Sequence, residues 1–196
     1  ITGGILQGLA ANNLSLTNGK KISLLHIDAH TDTFSQLDHF LGAKKSAAHW
    51  GAYLVDDGIV DPTRSMQIGM RGNPRTLDWL QPSYDLGYNV VTMQEFKQKG
   101  IQEVISETLD KLGDNPIYIT FDLDSLDASI APAVSNIEPS FTGFSMEEAK
   151  ALIQSVKNKN VIGGDVVCLM PTKDSPNNIT SMVAASIMFE IISIIA

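Results

Sequence analysis

Two short stretches carry most of the residues able to do chemistry. The first is His26-Ile27-Asp28-Ala29-His30-Thr31-Asp32, which follows the apolar run Ile22-Ser23-Leu24-Leu25. That run reads as a buried strand. Side chains alternate along a strand, so Asp28, His30 and Asp32 share a face if the extended geometry continues. Two carboxylates and an imidazole make a donor set for a divalent metal of the manganese class. Burying unpaired carboxylates at the end of a strand is expensive, which favours a metal there; a solvated polar loop is the alternative. The second stretch, Asp122-Leu123-Asp124-Ser125-Leu126-Asp127, ends the apolar run Ile117-Tyr118-Ile119-Thr120-Phe121. Asp122 and Asp124 are two apart and share a face, while Leu123 points into the packing. One Asp-x-Asp is often only a turn. Two such clusters, each closing a buried strand, point to a dinuclear centre. Four carboxylates brought together repel one another unless cations compensate them. Two ions about 3.5–4 Å apart would generate a nucleophilic hydroxide and stabilise developing charge. Two independent polar turns are the competing reading.

The elements that must position these clusters can be read in order. Residues 5–13 have helical spacing, and a strand covers about 21–28. Residues 33–46 read as a polar loop holding His39 and the solvated pair Lys44-Lys45. A short helix over 47–57, a strand over 65–70 and a short helix over 76–80, stopped by Pro82, come next. A strand over 88–92 leads into a helix predicted over 93–112 and closed by Gly113. The strongest strand covers 116–123; the capping box Ser145-Met146-Glu147-Glu148 opens a helix to about 156. A strand over 160–167 and a closing helix over 180–195 complete the chain. Strands alternating with helices over short connections predict an α/β fold of three layers, α/β/α, around a mainly parallel sheet. In such sheets ligands sit at the carboxyl ends of the strands, where both aspartate clusters fall. No linker, repeat or low-complexity segment divides residues 1–196, so one domain is expected.

Composition narrows the function classes. The 196 residues carry 43% hydrophobic and 18% charged residues, with a net charge of -8. No basic stripe exists to neutralise phosphates, which argues against nucleic acid or an anionic membrane as partner. A small cationic ligand suits the charge. The single cysteine, Cys168, rules out an internal disulfide and suits a reducing, cytoplasmic compartment. No run is long enough to span a bilayer, and residues 1–30 hold no basic n-region followed by an apolar h-region.

The motifs Asp28-Ala29-His30-Thr31-Asp32-Thr33 and Phe121-Asp122-Leu123-Asp124-Ser125-Leu126-Asp127 resemble those of the ureohydrolases: arginase, agmatinase and guanidino-acid hydrolases. The stretch from Val60-Asp61-Pro62 to Ile68-Gly69-Met70-Arg71 and the segment Gly164-Asp165-Val166-Val167 extend the likeness, which is strongest toward the agmatinase branch. The resemblance implies an arginase-like fold with two manganese ions. Asp28 and Asp122 would bridge them, Asp32 would complete one shell, and His30 and Asp124 would bind the other ion. A metal-bridging hydroxide would attack the guanidinium carbon, releasing urea and an amine; agmatine is the first expectation for the substrate. His49 resembles the family's active-site histidine, assigned to proton transfer or substrate positioning. A homo-oligomer, trimer or hexamer, is also implied. Arginase or guanidino-acid hydrolase activity, or a non-catalytic role, are the alternatives.

Three departures from the family pattern carry expectations of their own. The family supplies a further metal-binding histidine in a Gly-Gly-Asp-His-Ser segment, and this chain opens at Ile1-Thr2, just past that point. An N-terminal part of the domain is therefore expected to be missing, which would leave the chain inactive or weak in one metal. The pattern Asp-Val-Val-Glu-Val-Asn-Pro becomes Asp165-Val166-Val167-Cys168-Leu169-Met170-Pro171. A neutral thiol cannot offer the bidentate contact that the glutamate makes to a guanidinium, so Glu138 or Asp174 must serve or the substrate differs. Cys168 itself reads as a core thiol. Third, the loops after Asp127 and around His49-Trp50-Gly51 differ, which bears on substrate identity more than on fold. His26 reads as a histidine behind the ligands rather than one of them.

Overall fold

The two strands that end in aspartate clusters are buried along their whole length, which is why both read as nearly unbroken apolar runs. The structure is a computed structural model and describes residues 1–12, 15–34, 45–72, 77–138 and 142–196. Among these, β1 (Ser23–Ile27), β2 (Met66–Met70), β3 (Asn89–Thr92), β4 (Ile117–Asp122) and β5 (Val161–Val167) form a parallel sheet. Its order is β3-β2-β1-β4-β5. The helices are α1 (Thr2–Ala11), α2 (Trp50–Asp56), α3 (Gln81–Leu86), α4 (Met93–Lys99), α5 (Ile101–Leu112), α6 (Met146–Ser155) and α7 (Ile179–Ile195).

The period-2 pattern of the strands divides the helices into two layers. Leu25, Ile27, Ile117, Ile119 and Phe121 face one core with Phe96 of α4, Val104 and Leu112 of α5, Leu152 and Ile153 of α6, and Ile187 and Ile191 of α7. Leu24 and Tyr118 point the other way, toward Leu6 of α1 and Trp50 and Leu54 of α2. The expected three-layer α/β/α architecture is therefore present. Glycine lets the sheet and α7 approach closely: a Cβ on Gly164 would lie 2.8 Å from Ile191 Cγ2 and 2.9 Å from the Ile119 carbonyl.

From β1 the chain winds outward to β2 and β3, then crosses back to place β4 on the other side of β1. The winding direction thus reverses between β1 and β4, where such sheets open a crevice at their carboxyl ends. Register does the rest. Ile27 pairs with Phe121 and Asp122 with Val167. Asp28, Asp122 and Cys168 thus leave the sheet side by side.

Some elements differ from the sequence reading. The helix expected over 93–112 is two helices, broken at Gly100, whose φ of 81° and ψ of 160° are open to glycine. A second capping box, Thr92 with Glu95, opens α4. Pro82 starts a helix rather than stopping one: residues 77–80 form a turn and Pro82 lies in the first turn of α3. Proline is tolerated there because that N–H has no helical partner. Thr76 lies outside the described residues, as do His39 and Lys44 of the polar loop. The opening helix begins earlier than expected, at Thr2. No helix of the described residues is long and apolar enough to cross a membrane.

The close contact at Gly164 yields a test. Gly164→Ala should lower stability by about 1–3 kcal/mol through overpacking. Gly8→Ala, on the open face of α1 with nothing within 4 Å of the new Cβ, should raise it by about 0.5–1 kcal/mol. Urea denaturation midpoints measure both; equal effects at the two sites would contradict the packing described.

Candidate metal centre

The centre is built where the strand ladders run out. The Asp28 amide still donates to the Ile68 carbonyl at 3.1 Å, but one residue on, the Ala29 carbonyl accepts from both Arg71 and Gly72 amides, at 2.9 and 2.7 Å. Gly72 has to be glycine for this, since a Cβ would run into the His30 ring and lie 2.8 Å from the Ala29 oxygen. The Asp28 carboxylate then accepts from His26 Nε2 on Oδ2 at 2.8 Å and from the His30 amide on Oδ1 at 2.7 Å. From β4, Asp122 Oδ1 caps the next turn by accepting from the Asp124 amide at 2.8 Å. Asp124 Oδ1 reaches across to the Ala29 amide at 3.3 Å. The two aspartate clusters therefore meet. His30 Nδ1 lies 3.1 Å from Asp124 Oδ2 and 3.5 Å from Asp28 Oδ1, and its Nε2 lies 3.0 Å from Glu138 Oε1.

Asp32 arrives by a different route from the one that strand alternation suggests. The backbone is not extended at Asp32, whose φ is 51°. The Asp32 carbonyl accepts from the Gly51 amide at 2.9 Å and its Oδ2 from Trp50 Nε1 at 2.7 Å. α2 thus holds Asp32 beside His26 and Asp28. Three sets of donor atoms, each within 4.8 Å of one another, result: His26, Asp28 and Asp32; Asp28, His30 and Asp124; Asp122, Asp124 and Cys168. All five sequence-proposed ligands belong to these sets. His26 hydrogen-bonds to Asp28 from behind, but it is also itself a member of the first set. Gln67 Nε2 donates to its Nδ1 at 3.1 Å, which leaves Nε2–H to donate to Asp28.

The electrostatics of the cluster are strained. Burial works to raise the Asp28 pKa, but hydrogen bonds from His26 and His30 outweigh it and hold the carboxyl well below the usual range. Burial and the Asp28 charge push Asp32 up to about 7. Burial and the charges of Asp28 and Asp124 drive Asp122 well above the normal range, and burial with Asp28 raises Asp124. Burial disfavours the His30 cation, yet Asp124 and Asp28 push it up to about 12. Asp124 Oδ2 is buried and makes no hydrogen bond, although His30 Nδ1 is near. Buried carboxylates held together by an imidazolium suit a divalent cation in its place. Binding one through His30 would displace the imidazole proton.

Other expectations fare differently. His49 is buried, with Nδ1 2.8 Å from Ser46 Oγ, and belongs to none of the three donor sets. Asp174 is occupied: its carboxylate accepts from the amides of Ser175, Thr180 and Ser181 at the start of α7. Glu138 is the acid that reaches the cluster. Arg71 was not singled out in the sequence for the work it does. Its guanidinium donates to the carbonyls of Glu138, Asp124 and Leu126 at 2.7, 2.8 and 2.9 Å, tying the Glu138 loop to the second aspartate cluster. A lone arginine after a strand gives no signal for such a role. Arg71 also lines a cavity of about 690 Å³ with Trp79, Met93 and Lys97.

The arginase family model matches residues 1–193. The chain is 34% identical to mitochondrial guanidino acid hydrolase of Homo sapiens over 192 residues, 98% of this chain and 51% of that protein. It is 32% identical to mitochondrial agmatinase of Gallus gallus over 195 residues, 100% of this chain and 54% of that protein. The chain thus spans about half the length of these curated relatives. Among solved structures, proclavaminate amidino hydrolase from Streptomyces clavuligerus superposes with a TM-score of 0.86 at 28% identity, over 99% of this chain and 60% of that chain. Arginase from Medicago truncatula does so with a TM-score of 0.77 at 26% identity.

The raised carboxyl of Asp32 has a consequence for the metal-free protein. Its pKa goes from 3.8 to about 7 on folding. The fold therefore favours the neutral acid, and stability falls as pH climbs through that window. In the presence of a chelator, Asp32→Asn should reduce this fall while keeping an acceptor for Trp50. Thermal melts at pH 4 to 8 would show it; an unchanged pH slope in the variant would count against the assignment.

Proposed function

Because the chain belongs to the arginase family, we propose that it carries the metal centre of a manganese-dependent amidinohydrolase that cleaves agmatine to urea and an amine. The carrying observation is the convergence of the β1 and β4 aspartate clusters on one buried point, where Asp124 Oδ1 accepts from the Ala29 amide and Asp124 Oδ2 meets the His30 ring at 3.1 Å. In this reading Asp28, His30, Asp32, Asp122 and Asp124 would hold two manganese ions, with Asp32 and His30 serving different ions of the pair. When bound, such a pair supplies Lewis acidity and a water of lowered pKa.

The chain's own residues do the rest. His26 holds Asp28 in one orientation through Nε2–H, as histidines and carboxylates behind metal ligands do. Glu138 takes the part of the family glutamate and pairs with the guanidinium, since Cys168 cannot. Asp174 is withdrawn from that role by its capping duty. His49, buried and hydrogen-bonded to Ser46 through Nδ1, would serve proton transfer to the departing amine or positioning of the substrate. Assembly as a homotrimer or hexamer is part of the same proposal and rests on the family likeness.

A second reading, a guanidino acid as substrate, is favoured by the 34% identity to mitochondrial guanidino acid hydrolase. Urea release from agmatine, arginine and 4-guanidinobutyrate, measured with added manganese, separates the readings. Agmatine should be fastest; preference for 4-guanidinobutyrate supports the second, and no urea from any of them supports a non-catalytic protein. Asp122→Asn should reduce turnover by more than about 100-fold, beyond what losses behind the ligands cost. Glu138→Gln should raise KM about tenfold, as expected for a lost charged hydrogen bond. A KM unmoved by Glu138→Gln would remove that residue from guanidinium recognition.

A further inference from the structure

We propose that Cys168 is itself a metal ligand, completing with Asp122 and Asp124 a mixed sulfur–oxygen site that favours a thiophilic ion such as zinc over manganese. The inference deepens the dinuclear reading above and rests on it. β5 delivers Cys168 to the same sheet edge as Asp122, since Asp122 pairs with Val167 and the cysteine is the next residue. The backbone there is pinned from both sides. The Ser135 amide donates to the Cys168 carbonyl at 3.2 Å and the Met170 amide to the Ala133 carbonyl at 2.9 Å. The donor atoms of Asp122, Asp124 and Cys168 all lie within 4.8 Å of one another. A tetrahedral zinc ion with bonds of about 2.0–2.3 Å places its donors about 3.5 Å apart, so small side-chain rotations close the set.

An independent observation points to a cation at this place. Asp124 Oδ2 is buried without a hydrogen-bond partner, and Asp124 belongs to both this donor set and the one with Asp28 and His30. The positive group that meets this oxygen in the metal-free chain is the His30 imidazolium, with Nδ1 3.1 Å away, and a divalent cation would take that place on loss of the imidazole proton. Ligand chemistry then sets which ion. Carboxylate and water suit manganese, whereas a thiolate draws zinc, cobalt or cadmium. As the sulfur–metal bond forms, the thiol proton leaves to solvent. The replacement of an oxygen acid by a thiol at the end of β5 then shifts the metal preference of the site as well as its contact with substrate.

The test uses the full chain, whose single cysteine makes any thiolate signal report Cys168. Titration with Co2+ should produce a near-ultraviolet thiolate-to-cobalt absorption that Cys168→Ser abolishes. Calorimetry should show zinc affinity falling by about tenfold or more in Cys168→Ser, at the least what outer ligand-supporting contacts cost, with manganese affinity unmoved. Cys168→Glu should restore an oxygen donor and swing the preference back toward manganese, which keeps the comparison open if the serine variant folds poorly. Co2+ binding without the absorption, or zinc affinity unchanged in both variants, overturns the sulfur ligand. If Asp122→Asn still abolishes binding in that case, the dinuclear reading survives alone. If neither zinc nor manganese binds the unaltered chain, both fail together.

Discussion

Repulsion among carboxylates at the carboxyl edge of the sheet is the constraint on which the rest depends. Asp28, Asp122 and Asp124 are buried side by side, and burial and mutual charge act in the same direction on two of them. Near a protein surface, two like charges 4 Å apart cost about 4 kcal/mol. The whole stability of a domain is only about 5–15 kcal/mol. One uncompensated pair is therefore comparable to the margin that keeps the chain folded. The His30 imidazolium offsets part of this, at the expense of the very nitrogen that a metal ligand would need. Exchange of that proton for a divalent ion keeps the compensation and adds charge to it, which makes the cluster reasonable in a folded protein.

The architecture serves to hold this arrangement against its own repulsion. Parallel register at β1, β4 and β5 sets Asp28, Asp122 and Cys168 abreast. Buried strands beneath them leave little room to retreat, and the loops are tied rather than free. Arg71 draws three carbonyls from two loops together, and Trp50 reaches from α2 to Asp32. Two glycines matter for the same reason: Gly72 lets the backbone pass the His30 ring, and Gly164 lets α7 sit close on β5. Each of these contacts limits how far the charges can spread.

What was legible in the sequence was what local pattern encodes. Apolar runs marked β1 and β4, the Ser145 capping box marked α6, and the paired aspartates marked the site. What was missed needed tertiary knowledge. Pro82 stops a helix or starts one with the same local chemistry, and the choice depends on where the preceding turn leaves the chain. Gly100 inside an amphipathic stretch can be tolerated or can break it; here the switch from α4 to α5 around the sheet decides. Asp32 joins the centre through Trp50 and Gly51, contacts 18 residues apart or more in sequence, so alternation placed it on the right side by the wrong route. Glu138 and Asp174 were equal candidates in sequence. Only hydrogen bonding separates them, because Asp174 spends its oxygens on the start of α7.

The exchange of glutamate for Cys168 has an energetic meaning beyond the loss of one contact. A glutamate at that point would add another carboxylate to a site already strained by like charges. A thiol, held neutral by burial and by Asp122 and therefore raised well above its usual pKa, adds none until a metal takes its proton. The metal-free chain is thus less burdened than a glutamate-bearing one would be, while the metal-bound chain can recover a negative donor. In the proposed function, recognition of a guanidinium would pass to Glu138, which sits in a loop rather than at the end of a strand. Sites on loops are positioned less sharply than sites on strands. In that reading the thiol that spares the cluster a further charge also leaves the substrate less sharply held, because the acid that must grip it hangs on the loop that Arg71 ties to Asp124 and Leu126.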